Sequence, residues 1–280
     1  MVAAPGGPEK IYFVPAASCL CSPVPACRRR AAGGNKPVMI PIKDSIPNVF
    51  RPYMVWIIIL LNAAVFIYTV GLDPMSLARF FHLYGVVPIR LVQPELAMQA
   101  GYPDSGYHTL VTHMFIHGGF LHFILNAWML WIFADNIEDV MGPFRFLVFY
   151  LICGAGALLV HILFNAGSQV PVVGASGAIA GVMGAYFLLY PHSRVITIIP
   201  IIIIPYIVEI PAVLFLGVWF VIQVVSALWT DMLGAGTGVA WWAHAGGFMV
   251  GMIILPLFRD RKRCYYCYEK IRRKKEFLIE

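Results

Sequence analysis

From residue 54 onward, long apolar stretches alternate with short polar ones. Runs near 54–70, 113–135, 144–165, 173–190, 211–229 and 238–257 are dense in Leu, Ile, Val, Phe and Ala. Each approaches the roughly 20 residues a helix needs to cross a hydrocarbon core about 30 Å thick. The pattern predicts an all-α membrane protein, a bundle of six transmembrane helices. Residues 1–50 are rich in Pro, Gly and Ala without a sustained period and predict a mostly disordered tail. No signal peptide is visible in that tail, and Met39 looks like a more natural beginning than Met1. The connection 71–112, with "FFHLYGVVPIRLVQ", fits either a segment lying in the membrane interface or a plain loop. The segment "VITIIPIIIIPYIVEI", 195–210, is apolar enough for another span. Its two prolines and Glu209 predict instead a loop or interfacial strand leading into the fifth helix.

Composition agrees: 60% hydrophobic and 12% charged residues exclude an ordinary soluble domain. The net charge of +6 resides in the tails, since 7 of the 20 Lys and Arg lie at or before Arg51 and 9 at or after Arg259. A nucleic-acid partner is therefore not expected. Basic residues are retained on the inner side of a bilayer, which predicts two cytoplasmic termini and an even number of spans in a multi-pass protein. With no transit peptide visible, a bacterial-type cytoplasmic (plasma) membrane is the expected location. The expected organisation is a tail (1–50), a membrane domain (51–258) and a basic tail with a CxxC (259–280). Cys264 and Cys267 supply only half of a four-ligand zinc site. Completing it would need Cys19, Cys21 and Cys27 or a second subunit, so reduced thiols are the simpler expectation and no metal is assigned.

Polar groups inside spans are costly unless partnered or functional. The second run carries His117, His122 and Asn126, the third His161, the fourth Ser176 and the sixth His244. Ser176 precedes Pro191 by 15 residues and His244 precedes Arg259 by 15, so both lie roughly 22 Å from the same membrane boundary. The pairs Gly177/Gly181 and Gly247/Gly251 would let the two helices approach closely. An imidazole at hydrogen-bond distance turns a serine hydroxyl into a nucleophile. Asp135, Asp139 and Asp231 fall near span ends, so a Ser–His dyad rather than a triad is expected. His122 and Asn126, four residues apart, share a helical face and can donate to a developing oxyanion, as can the Ser176 amide near its helix start. His117 lies about one and a half turns earlier and lines the same cavity. His161 is expected to pack.

The stretches "GASGAIAG", "AHAGGFMVG" and "HGGFLHFILN", with the long first loop, resemble the rhomboid intramembrane serine proteases over about residues 50–258. That resemblance implies a six-helix rhomboid-like bundle, Ser176 as nucleophile and His244 as general base. It makes Asn126 and His122 the oxyanion partners; Gly174 and His117 are grouped with them here as oxyanion or substrate-binding positions. Transmembrane protein substrates, a small residue before the cut and lateral entry past the fifth helix are further implications, with no cofactor. The "EDVMGPFRF" region, with Glu138, Gly142 and Arg145, is similar to a structural connection of the family. Two rivals stand beside this reading. A transporter would show internal repeats, which are not seen. An inactive, client-binding relative would typically lack the serine or the histidine.

Overall fold

In the computed structural model, which describes residues 40–201, 204–233 and 238–268, a strand, β1 (Ile40–Asp44), leads into helix α1 (Tyr53–Val70). The described residues belong to one unit, Pro37–Glu280. Cys19, Cys21, Cys27 and Met39 lie outside them. A run of short helices follows: α2 (Pro74–Tyr84), α3 (Pro88–Val92), α4 (Pro94–Gln99) and α5 (Thr109–Thr112). Then come α6 (Phe120–Met141), α7 (Pro143–Asn165) and α8 (Ser176–Leu189). A hairpin of β2 (Arg194–Ile201) and β3 (Ile204–Pro211) precedes α9 (Ala212–Leu233) and α10 (Trp241–Phe258).

Helices α1, α6, α7, α9 and α10 are long and apolar enough to cross a membrane, and α8 is a shorter apolar helix. The six expected helices are all present. The second begins and ends later than expected, at 120 and 141 rather than 113 and 135. His113–Phe115 instead form a 3₁₀ turn, and Gly118 and Gly119 precede the helix. At its far end α6 continues through three acidic residues because their oxygens find donors. Glu138 accepts from the amides of Met54 (3.0 Å) and Val55 (2.9 Å), capping α1. Asp139 accepts from Val49 and Phe50 at 2.6 and 2.9 Å, and Asp135 from Asn48 Nδ2 at 2.8 Å.

Those bonds correct the expectation of a disordered tail as far as residue 50. Residues 40–44 form β1, paired antiparallel with β2 (Ile40 opposite Ile198, Asp44 opposite Val195), and β2 pairs antiparallel with β3. The 195–210 segment is thus part of a three-stranded sheet of order β1-β2-β3, which adds to the helical bundle. The Trp128 indole donates to Pro41 O at 2.6 Å and fixes β1 to α6. After α10, a turn holds the Cα atoms of Cys264 and Cys267 5.5 Å apart, and the two are joined as a disulfide rather than standing as reduced thiols.

The connection between α1 and α6 is built rather than loose. Pro74 opens α2 while the Asp73 carboxylate accepts from the Met75 and Ser76 amides. Arg90, 1% exposed, donates to the carbonyls of His82, Leu83 and Asp104 and to the Asp104 carboxylate at 2.6 Å. A β-bridge between Val86 and Val172 ties this region to the segment just before α8.

Candidate active site

Helix α8 is 14 residues long, about 21 Å, and its residues from Gly177 to Tyr186 are buried. It starts late because Gly174 sits at φ +130°, a conformation L side chains rarely adopt. A Cβ there would also lie 2.7 Å from His122 Cε1. Ser176 is consequently the first helical residue, where first-turn amides lack intrahelical acceptors and the helix dipole is positive.

Glycines bring α8 and α10 to backbone contact. A Cβ on Gly247 would overlap the Gly177 carbonyl oxygen, and one on Gly251 the Gly181 carbonyl oxygen. At this separation the imidazole of His244, in the first turn of α10, reaches across, and its Nε2 is 2.8 Å from Ser176 Oγ. The ring is boxed by Trp219 and Trp241, each with its centroid 6.1 Å away. A third group, which the sequence reasoning did not find, completes the contact: Gln223 Oε1 of α9 lies 2.8 Å from His244 Nδ1. The available signal was that Gln223 is the sole amide in the fifth apolar run.

The remaining predicted positions are engaged to different degrees. His122 stands against Gly174. Asn126 is 7% exposed, and its Nδ2 has no hydrogen-bond partner among the described residues, leaving a buried donor unspent. His117 is buried beside His122, ring centroids 5.3 Å apart, and neither of its ring nitrogens has a partner among the described residues. Gly174 contributes space rather than a donor, since its amide is already given to His113 O at 2.9 Å. His161 of α7 is buried and makes no hydrogen bond to Ser176 or His244. Asp135 and Asp139 hold the N-terminal segment, and Asp231 accepts from Trp242 Nε1 at 2.9 Å, so none of them completes a triad. Among the described residues no cluster of His, Cys, Asp and Glu could hold a metal ion.

Chemically, the arrangement offers a hydroxyl with a base and a helix N-terminus beneath it, while α6 carries a buried amide donor with no partner among the described residues. Known proteins share this sequence region. A family model described as "Rhomboid domain" matches residues 104–261. The chain is 25% identical over 173 residues to Rhomboid protein 1, mitochondrial, of Saccharomyces cerevisiae, covering 59% of this chain and 45% of that protein. It is 35% identical over 95 residues to the putative rhomboid protease YdcA of Bacillus subtilis (32% and 44% covered). It is 38% identical over 81 residues to the rhomboid protease GluP of the same bacterium (29% and 15% covered). The chain thus spans less than half the length of each of these relatives.

Proposed function

The chain belongs to the rhomboid family, and from that premise we propose that it is an intramembrane serine endopeptidase that hydrolyses a peptide bond in or beside a substrate's transmembrane segment. The observation that carries the proposal is the 2.8 Å approach of His244 Nε2 to Ser176 Oγ, between two helices otherwise lined by apolar residues. Holding a half-buried hydroxyl and imidazole at membrane depth is costly, and their mutual contact is what a nucleophile and its base require.

In this reading Nε2 takes the Oγ proton as Oγ attacks the scissile carbonyl carbon. The oxyanion that forms is met by Asn126 Nδ2, the Ser176 amide and His122. Collapse breaks the C–N bond, and the departing amine takes the proton from His244. Water, deprotonated by the same nitrogen, then hydrolyses the acyl-enzyme and restores Ser176. His117 and Gly174 line the substrate side, Gly174 by leaving His122 room. A helical substrate must unwind to expose its carbonyl, so Gly and Pro near the cut favour cleavage, a small residue precedes it, and entry is past α9. The basic tails support an orientation with both termini on the inner side of the membrane.

The test is labelling with a fluorophosphonate, together with cleavage of a model transmembrane substrate in detergent. Wild type is expected to react in both, and Ser176→Ala and His244→Ala in neither while keeping their thermal stability. A folded wild type inert in both assays would leave a client-binding protein as the reading.

A further inference from the structure

Along α9 the buried residues are Ala212, Leu216, Gln223 and Ala227, whereas Val221, Ile222, Val225 and Leu228 are exposed. Gln223, 5% exposed, is therefore an amide on an apolar stripe, where an unpaired polar group would be expensive. Both its ends are engaged. Nε2 donates to the Trp219 carbonyl one turn back at 3.2 Å, which turns Oε1 toward His244 Nδ1 at 2.8 Å. An amide oxygen only accepts, so Nδ1 carries the proton. In a neutral imidazole the lone pair is then on Nε2, the atom that faces Ser176 Oγ. Trp219, on the same face of α9, lies at 29° to the imidazole plane and limits its tilt.

We propose that Gln223, backed by Trp219, is the positioning residue of the Ser176–His244 pair, selecting the tautomer and the orientation in which His244 accepts the serine proton. The inference rests on the proteolytic reading given above. It assigns an uncharged amide to the place where soluble serine hydrolases use a carboxylate. The exchange suits the setting, because a buried carboxylate would bring a large desolvation cost and an amide brings little. The other titratable rings facing His244 are His122 of α6 and His161 of α7, and neither is hydrogen-bonded to it.

The experiment uses the full chain in detergent, with ¹⁵N-labelled histidine and a transmembrane model substrate. The His244 signals are identified by their loss in His244→Ala. Wild type is expected to show His244 protonated at Nδ1. Gln223→Met, close in shape but without an acceptor, and Gln223→Leu are expected to shift that signal toward a mixture of tautomers. They should also lower kcat about ten- to a hundredfold with little change in KM. Gln223→Glu, which restores an acceptor oxygen, is expected to recover turnover relative to Gln223→Met. A wild-type tautomer and kcat in both apolar variants would overturn the proposal, as would a folded Gln223→Glu no faster than Gln223→Met. If wild type cleaves nothing, the proteolytic reading fails, while the tautomer signal still decides whether Gln223 sets the imidazole.

Discussion

The phenol of Tyr186, on the central helix α8, donates a 2.5 Å hydrogen bond to the carboxylate of Asp44, 142 residues earlier on β1. Asp44 is 4% exposed, and burial, partly offset by the Tyr186 bond, raises its pKa from the ordinary 3.8 to about 6. The folded state therefore favours the protonated acid. Its contribution to stability is complete below about pH 3.8 and is lost as pH rises through about 6. Asp44→Asn is expected to flatten the fall in melting midpoint that wild type shows between pH 4 and 7, and to be the more stable of the two at pH 8, by a few degrees. Thermal unfolding in detergent across that range checks the sign.

Asn126 presents a buried donor with no partner among the described residues. Asn126→Ala is expected to slow cleavage by roughly 100- to 1,000-fold, the loss that follows removal of one oxyanion donor, with KM little affected. An unchanged kcat removes Asn126 from the site.

The backbone contact between α8 and α10 fixes the Ser176–His244 distance. Gly247→Ala would drive a methyl into the Gly177 carbonyl and force the helices apart. Overpacking of this kind costs about 1–3 kcal/mol. Cleavage is expected to drop more than tenfold in the fraction that remains folded, measured by turnover normalised to the folded population.

Glu138 caps α1 at a distance from the chemistry. Glu138→Ala leaves the Met54 and Val55 amides without their acceptor, and about 1–3 kcal/mol of stability is expected to go with it. The melting midpoint should fall while turnover per folded molecule holds.

How much of this was legible follows from where the signals lay. Ser176 and His244 stand out as polar residues in apolar runs, and the glycines at 177, 181, 247 and 251 mark close helices by spacing alone. Gln223 obeys the same cost rule, yet a single amide shares no spacing motif with His244, 21 residues away, and only the packing of α9 on α10 joins them. Residues 40–50 gave no local period because their partners are strand and helix residues 87 to more than 140 positions distant. The start of α6 differs from the hydropathy pattern because Met114–Ile116 is apolar and mostly buried without being a continuous helix: hydropathy reports burial, not helicity.

The shortness of α8 works as a depth gauge. Fourteen residues reach about 21 Å through a layer about 30 Å thick, so a helix footed at one face of the membrane stops some 9 Å short of the other. Its tip, and with it the alcohol, is held at a set level by the number of turns beneath it. On the proteolytic reading proposed above, that level sets how far below the membrane surface a peptide bond meets the alcohol.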